Sequence, residues 1–534
     1  MTNATTGSDR IVPGQQPPAE ERGSRLARFT RPAMTHWQFS IVVLAGIVVR
    51  IIVMVGYPPV VWFNDSYNYV YDAATRVPDE IRPNGYPFFL DLFAPLHRLS
   101  PVALVQAGMG IVLGVAIYAL LRRRGLPWWG AALPTLPVFF DSYALHLEHM
   151  VTADPLFIFL VTIAVVILCW SDRPSVLAMA IAGLLIGYAT LVRSVGTPLL
   201  VVALVAMLVR RVGWHRLGAL LVAGIIPIGA YMLWFHGTYG KYALTESSGT
   251  FLYSRVSTFA ECGKITLSTK ALRAMCDRTP PALRPESGEY VWVDNELPPD
   301  QNKTTPLYNV TRSSDTALRF TPYINGLAGT FAKKAILGQP FDYLRVVTGD
   351  TLQTFTWNRE SDPGDNTGNG PVFTFVSGQK LKSLIPWWAG DTGRAGHDHT
   401  AHVTYEARKK FGGAGLGNTR AVQPWARLLE IYQRYFFLRG PFLAVIVLIG
   451  VAGVFGRWRR WGGIGLLPWL FGAMLIVLPP MTAGFSYRYV LAAVPAACLA
   501  AGLAFARRPG DKSVGALAAD LRRYLGRGVA VDQE

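Results

Sequence analysis

The first hydrophobic stretch of the chain, residues 39–57, reads FSIVVLAGIVVRIIVMVGY. A run of about 20 apolar residues is long enough to cross the hydrocarbon core of a bilayer as a helix. An acidic, aromatic-rich loop follows at Trp62–Tyr67, WFNDSY, with Arg82 and Tyr86 soon after it. A carboxylate placed just beyond a membrane helix, with a cation nearby, indicates chemistry at the bilayer surface rather than a simple membrane anchor.

The composition agrees with a membrane protein. Hydrophobic residues make up 51% of the chain, charged residues 16%, and the mean hydropathy is +0.28. These values lie outside the usual range of soluble proteins. The net charge of +17 could suggest a nucleic-acid partner, but no basic helix or aromatic-basic repeat supports one. Many of the Lys and Arg residues instead stand in short clusters between apolar runs, where they orient helices in a bilayer.

Apolar stretches of this kind recur along the chain and predict about ten transmembrane helices. The fifth and sixth are separated only by Arg193 and Ser194, so they could form one helical hairpin with a tight turn. The predicted limits are 39–57, 101–121, 128–145, 152–170, 175–192, 195–209, 216–235, 436–455, 462–480 and 488–506.

The distribution of Arg predicts how these spans are oriented. Arg clusters precede span one and follow spans two, four and six, and such clusters mark the cytoplasmic side. The clusters at 457–460 and 507–508 fall on that side only if the long stretch between spans seven and eight lies opposite. We therefore expect a multi-pass protein of the cell (plasma) membrane with both termini in the cytoplasm.

These assignments predict an α-helical polytopic membrane protein with a mixed α/β extracytoplasmic domain inserted between spans seven and eight. The N-terminal segment is polar and rich in Pro and Gly, and it is typical of a disordered tail rather than a cleaved signal. The predicted segments are a cytoplasmic tail (1–35), a transmembrane core (36–235) with its first outer loop (58–100), a soluble domain (236–435), the C-terminal transmembrane helices (436–508) and a second cytoplasmic tail (509–534).

The inserted block of about two hundred residues is large enough to fold as a domain. Its polar runs mark turns and loops, and both strands and short helices fit between them. Cys262 and Cys276 lie in this block, in a compartment where disulfides persist, so we expect them to be bonded. A pair of free thiols is the alternative. Cys169 and Cys498 lie within apolar spans and are interpreted as small core residues.

Asp65 is the leading candidate for a catalytic residue. A carboxylate in a partly dry cleft can have its pKa raised toward the range of a useful general base, which an acceptor hydroxyl requires. The structural alternative is that Asp65 caps the helix that starts near Ser66, where Asn and Asp are favoured.

Two further acidic residues, Glu148 and Asp154, flank the entry to span four on the same predicted side as Asp65. Ionisable side chains at the edge of a span are costly, which makes each of them a catalytic candidate. Asp154 precedes Pro155, so it could also serve simply as a helix start. Glu148 has no such local role.

Arg82, Arg193 and Arg488 fall on the outer side, against the orientation bias. A phosphate is the expected partner at that depth, because the planar guanidinium fork matches its oxygens. The alternative is that each Arg extends its charge to lipid headgroups. Asn64, Tyr86 and Lys241 complete the predicted substrate- and phosphate-binding residues.

His397, His399 and His402 place three imidazoles within six residues, a density consistent with a divalent metal. They lack the helical spacing of a zinc protease, and a solvated loop is the simpler interpretation. We therefore predict no certain cofactor, with a divalent metal as an alternative.

The arrangement of these motifs resembles the GT-C superfamily of membrane glycosyltransferases that use polyprenyl-phosphate sugars. It is similar to the bacterial, actinobacterial phospholipid-carrier-dependent group, related to protein O-mannosyltransferases and the lipid A aminoarabinose transferase. Superfamily members usually carry two adjacent acidic residues in the first loop, whereas this chain has Asn64-Asp65. The resemblance covers the transmembrane segments and not the 236–435 block. The matching segments are Asn64-Asp65, 84–87 (NGYP), 148–156 (EHMVTADPL), 193–196 (RSVG) and 487–489 (YRY).

The resemblance implies an inverting transfer in which Asp65 deprotonates an acceptor hydroxyl and Arg residues stabilise the departing lipid phosphate. The implied partners are a polyprenyl-phosphate sugar donor, an envelope glycan, lipid or protein acceptor, and the bilayer. Three alternatives remain: a polymerase or ligase using a pyrophosphate-linked donor, a secondary transporter, and a non-enzymatic scaffold. A transporter should show ionisable residues at mid-bilayer, but the predicted spans are nearly free of charge apart from Arg50.

Overall fold

The computed structural model describes residues 36–292, 306–311, 316–357, 409–412, 419–457 and 463–506. Within these ranges every regular element is helical, and the single extended pairing is a parallel bridge between Val61 and Met150. The helical part of the predicted fold class is therefore confirmed for the described residues. The largest apolar core lies among the helices of the N-terminal half and the last two helices of the chain.

The N-terminal half forms a bundle. Its longest helices follow from uninterrupted apolar sequence, and α8 and α10 each begin with a Pro in the first turn, where the missing N–H removes no helical hydrogen bond. In order, the helices are α1 (Trp37–Gly56), α2 (Asn64–Thr75), α3 (Gly85–Asp91), α4 (Ser100–Arg123), α5 (Trp128–Ala132), α6 (Leu136–Phe140), α7 (Ser142–Glu148), α8 (Asp154–Trp170), α9 (Val176–Val192), α10 (Thr197–Val209) and α11 (Trp214–Tyr239).

A second group of helices, which we call the inserted cluster, follows α11 and has an apolar core of its own around Tyr253, Val256 and Phe331. It contains α12 (Ser248–Ser257), α13 (Lys270–Ala274), α14 (Glu289–Trp292), α15 (Pro306–Thr311), α16 (Pro322–Gly338) and α17 (Pro340–Gln353). The chain then returns to the bundle through α18 (Trp425–Tyr435), α19 (Gly440–Phe455), α20 (Leu466–Thr482) and α21 (Tyr487–Ala504).

Several of these helices have the length and composition of membrane spans. Helices α1, α4 and α11, and α20 taken together with the 3₁₀ turn Gly463–Gly465 before it, are long and apolar enough to cross a bilayer, and α18 with α19 forms a fifth candidate bent by 55°. Helices α8, α9, α10 and α21 are apolar but shorter. Ile41, Leu44 and Ile51 of α1 are each more than half exposed, as expected of side chains that face lipid. The total of ten spans remains a prediction.

Glycines allow several helices of the bundle to pack closely against one another. A Cβ atom on Gly183 would lie 2.2 Å from the Leu220 carbonyl oxygen, and one on Gly187 would lie equally close to that of Gly224. Small residues at such contacts are the usual means of packing helices in membranes. Gly85 meets the backbone of Leu191 in the same way. The start of α3 is therefore held at the end of α9.

The prediction of one continuous helix over 128–145 is wrong. This stretch is divided into α5, a 3₁₀ turn at Leu133–Thr135, α6 and α7. Pro134 and Pro137 each lack the N–H that a continuing helix would need. Asp141 then adopts an extended conformation, and its carboxylate accepts hydrogen bonds from the N–H groups of Tyr143 and Ala144 at 2.9 and 3.0 Å. The segment before α8 is consequently a chain of short helices.

The predicted mixed α/β character of the 236–435 block is not confirmed, because its described parts contain helices without strands. The polar stretch 358–408 and the tails 1–35 and 507–534 lie outside the described residues. The structure joins Cys262 and Cys276 in a disulfide, with Cα atoms 6.1 Å apart. Cys169 and Cys498 are buried thiols.

Candidate functional site

The loop before α2 is fixed to the loop before α8. The Val61 N–H donates to the His149 carbonyl at 3.0 Å, and the Val151 N–H donates to the Val61 carbonyl at 3.1 Å. The Ser66 hydroxyl donates to the Val151 carbonyl at 2.7 Å. These bonds bring together the first turns of α2 and α8, which carry Asp65 and Asp154.

Asp65 accepts hydrogen bonds from two arginines that are distant in sequence. Its Oδ1 atom lies 2.7 Å from Nη2 of Arg82, and its Oδ2 atom lies 3.1 Å from Nη1 of Arg488. The three side chains are only 10–18% exposed. Asp65 lies in the first turn of α2, and the N-cap residue is Phe63. The alternative that Asp65 itself caps the helix is therefore wrong.

Asp154 belongs to the same group of charges. It forms an ion pair with Arg193, and its Oδ2 atom accepts a hydrogen bond from the Thr152 hydroxyl at 2.8 Å. Nε of Arg488 lies 3.9 Å from the same carboxylate. Arg488 therefore stands between Asp65 and Asp154 and joins the two ion pairs. We call these five charged residues the ion-pair cluster: Asp65, Arg82, Asp154, Arg193 and Arg488.

Aromatic rings surround the guanidinium groups of this cluster. The Arg488 guanidinium carbon lies 4.9 Å from the centre of the Phe63 ring, and that of Arg193 lies 4.8 Å from the centre of the Tyr489 ring. Such contacts favour a cation and exclude water from it. Burial raises the pKa of the Tyr69 phenol, 6.0 Å from Arg82, to about 12. This phenol is therefore protonated at neutral pH.

The charges within the cluster do not cancel. Within these five residues, three guanidinium groups face two carboxylates, an excess of one positive charge, and the Asp79 carboxyl also interacts with Arg82. Burial by itself would raise the pKa of the Asp65 carboxyl, but Arg82, Arg488 and Arg193 together hold it below its usual value. Asp65 is consequently ionised at neutral pH, and the cluster is suited to one further anionic group.

The loop that carries Arg82 is held by hydrogen bonds within itself and by hydrogen bonds from the segment after α11. The Asp79 carboxylate accepts hydrogen bonds from the N–H groups of Ile81 and Arg82 at 3.0 and 3.2 Å. The segment leading into the inserted cluster holds the same loop, because the Glu246 N–H donates to the Glu80 carbonyl at 2.6 Å and the Ser247 hydroxyl donates to the Ile81 carbonyl at 2.8 Å. The position of Arg82 therefore depends on the inserted cluster.

The turn before Arg488 is held by the inserted cluster as well. The Tyr343 hydroxyl donates to the Met481 carbonyl at 2.9 Å. The Asp350 carboxylate accepts a hydrogen bond from the Phe485 N–H at 3.1 Å and pairs with the buried Arg255 at 2.9 Å. The inserted cluster thus fixes both loops that supply arginines to Asp65.

Glu148, predicted as catalytic, pairs with Arg50 instead of joining the cluster. Both carboxylate oxygens of Glu148 accept hydrogen bonds from Arg50 at 2.8 Å. The Arg50 guanidinium also donates to the carbonyls of Gly46, Val138 and Phe139. Within the described ranges, no hydrogen bond or ion pair joins the Glu148 side chain to the ion-pair cluster. Its contacts are those of a structural link between α1 and the segment before α8.

The other predicted binding residues have varied surroundings. Tyr86 is fully buried, and its hydroxyl donates to Gln106, whose amide donates to the carbonyls of Glu148 and Met150 at 2.8 Å. Tyr86 therefore supports the segment before α8 from within the core. Lys241 is half-exposed and pairs with Glu246 at 3.2 Å. Asn64 begins α2, but its side chain lies outside the part of the chain that the structure describes.

The metal alternative remains a prediction. Among the residues that the structure describes, no three His, Cys, Asp or Glu side chains are grouped so as to hold a metal ion. His397, His399 and His402 lie outside those residues.

The Arg50–Glu148 pair yields a stability prediction. Arg50→Met leaves a buried, unpaired carboxylate and should cost about 3–5 kcal/mol, whereas the double variant Arg50→Met, Glu148→Leu should recover most of that loss. Thermal unfolding of the purified protein in detergent measures both. Arg76→Met is the control, because its pair with Asp91 involves a guanidinium that is 70% exposed and should contribute less than about 1 kcal/mol. A double variant as unstable as Arg50→Met alone would contradict this interpretation.

No protein-family model, no curated protein and no solved structure matches the chain.

Proposed function

We propose that this chain is an integral membrane glycosyltransferase of the GT-C type. It moves a sugar from a polyprenyl-phosphate donor to a glycan, lipid or protein acceptor of the cell envelope, on the extracytoplasmic face and with inversion at the anomeric carbon. The observation that carries the proposal is the ion-pair cluster, in which Arg82, Arg193 and Arg488 converge on Asp65 and Asp154. The first turns of α2 and α8 hold the two carboxylates.

The charge of the cluster suits the donor. A polyprenyl-phosphate sugar is a phosphodiester with one negative charge, which the net positive charge of the cluster balances. Guanidinium groups bind phosphate oxygens through paired hydrogen bonds. A pyrophosphate-linked donor carries a second negative charge, which the single excess positive charge of these five residues would not balance, so we propose the monophosphate donor.

The reaction breaks the bond between the anomeric carbon and the phosphate oxygen. Asp65 takes the proton of the acceptor hydroxyl, the hydroxyl oxygen attacks the anomeric carbon, and the electron pair of the broken bond leaves with the lipid phosphate. The phosphate gains a negative charge as it departs. Arg82 and Arg488, which we propose to bind the phosphate, therefore interact more strongly with the transition state than with the bound donor, which accelerates the reaction.

The pairing of Asp65 with Arg82 and Arg488 also determines how strong a base it is. While both guanidinium groups bind it, Asp65 is a weak base because they hold its pKa low. A donor phosphate that takes over these hydrogen bonds would remove part of that effect, and burial would then raise the pKa of the carboxyl. Donor binding would thus make Asp65 a stronger base only when the reaction can follow.

The substitution Asp65→Asn tests the proposal. With polyprenyl-phosphate and polyprenyl-pyrophosphate sugars as donors, the wild type should transfer sugar from the former, and Asp65→Asn should reduce kcat by about 10²–10⁴-fold. Donor affinity should be equal or greater, because removing the carboxylate makes the cluster more positive. Transfer is measured with radiolabelled sugar.

Asp91→Asn is the matched control for that assay. Asp91 is a partly exposed carboxylate that pairs with Arg76 and Lys410, so its replacement should leave kcat unchanged. Undiminished transfer by Asp65→Asn would exclude Asp65 as the base. Absence of transfer by the wild type with every donor would contradict the enzymatic proposal.

A pH prediction follows from the lowered pKa of Asp65. The acidic limb of kcat/KM in the wild type should lie below the pH range in which an ordinary aspartate titrates, because the base remains ionised until the pH falls through its lowered pKa. Arg82→Met removes the largest influence that lowers the pKa of Asp65 and should move that limb to higher pH. Arg76→Met should not move it. An unchanged limb in the Arg82 variant would contradict the assignment of Asp65 as the titrating base.

A further inference from the structure

Trp292, at the end of α14, lies beside the ion-pair cluster although it belongs to the inserted cluster. The guanidinium carbon of Arg82 lies 5.6 Å from the centre of a Trp292 ring and 6.0 Å from the centre of the Tyr69 ring. Arg82 in turn donates to Asp65. One guanidinium group therefore separates the Trp292 indole from the carboxylate that we propose as the base.

The backbone and the rings of Trp292 are held by several contacts. Its rings pack against Phe251 and Phe320, with centroids 6.1 and 5.7 Å away. The backbone N–H of Trp292 donates to the Gly288 carbonyl at 3.0 Å. The carbonyl of Val291, the residue before it, accepts a hydrogen bond from the buried Arg319. This support holds the indole in place without ligand contacts.

Despite this support, Trp292 is 39% exposed. Tyr290 and Val291, which precede it in the same short helix, are buried. A large aromatic surface that is rigidly backed and partly open is suited to contact with a ligand, because little conformational entropy is lost on binding. An indole face is electron-rich, and the C–H groups on one face of a sugar ring form a weakly positive, apolar surface that packs against it.

The position of Trp292 favours the sugar of the donor over other ligands. The sugar is bonded directly to the phosphate that Arg82 and Arg488 would bind. It must therefore lie no farther from these guanidinium groups than the width of one sugar ring. The indole lies at that distance from Arg82. A sugar stacked there would lie near Asp65, which must reach the hydroxyl that attacks the anomeric carbon.

We infer that Trp292 is the stacking surface for the donor sugar, so that the inserted cluster contributes directly to sugar recognition. This inference rests on the proposed function. It makes Trp292 a specificity-determining residue, whereas the arginines of the ion-pair cluster recognise the phosphate irrespective of the sugar.

Two probe lipids of equal charge test the assignment. One is farnesyl phosphate linked to a hexose, used as a panel of several hexoses, and the other is farnesyl methyl phosphate, a phosphodiester without a sugar. In nanodiscs, the wild type should bind at least one sugar-bearing probe about tenfold more tightly than the methyl ester. Trp292→Ala should abolish this preference while leaving the Kd for the methyl ester unchanged.

Two further variants serve as controls. Trp292→Phe keeps an aromatic face and should retain part of the preference, and it replaces the Ala variant if that one does not fold. Trp357→Ala removes another exposed indole that stacks on an arginine, Arg439 at 5.4 Å, and should have no effect.

Each other outcome has a definite meaning. If the Trp292 variants keep the wild-type preference, or lose the same factor of affinity for both kinds of probe, the stacking role is overturned and the proposed function is unaffected. Equal binding of sugar-bearing and sugar-free probes by the wild type also overturns it. If the wild type binds neither kind of probe, the proposed function itself fails.

Discussion

The arrangement of the site depends on one side chain, the guanidinium group of Arg488, which lies between two carboxylates. It donates to Asp65 at 3.1 Å and lies 3.9 Å from Asp154. These acidic residues occupy the first turns of two different helices, where a negative charge also interacts favourably with the helix dipole. Largely buried carboxylates are costly unless they are paired. Arg488, with Arg82 and Arg193, supplies the compensating charge.

This arrangement requires several parts of the chain to meet. The bridge between Val61 and Met150 brings the starts of α2 and α8 together. The inserted cluster holds the Arg82 loop through Ser247 and the turn before Arg488 through Asp350. The inserted cluster is therefore a structural support of the site, and through Trp292 we propose that it also contacts the donor.

Sequence patterns anticipated much of this site because its charges lie at helix ends. Asp65, Asp154 and Arg193 each stand where an apolar run begins or stops, and a charge at such a position is unusual enough to be noticed. Glu148 also stands at the edge of an apolar run, but it pairs with Arg50 and not with the ion-pair cluster. Arg50 was visible as the lone charge in the first span, yet its partner depends on how the broken segment before α8 turns back toward α1.

Other features could not be predicted because they arise from contacts between distant segments. Trp292 is one of fifteen tryptophans, and nothing in the sequence around it shows that it lies beside Arg82. The breaks in the third predicted span had a local signal in Pro134 and Pro137, which the apolar character of the stretch concealed. The mixed α/β expectation for the inserted block rested on turn-forming residues, which also connect short helices.

The most direct test of the account is an electron cryo-microscopy structure of the full chain in nanodiscs with farnesyl methyl phosphate. We predict that the phosphate lies within about 3 Å of the guanidinium groups of Arg82 and Arg488, at hydrogen-bond distance. We also predict that Asp65 has lost at least one of its two arginine partners. A phosphate bound away from these arginines, or Asp65 and Arg488 placed in separate parts of the protein, would contradict the account.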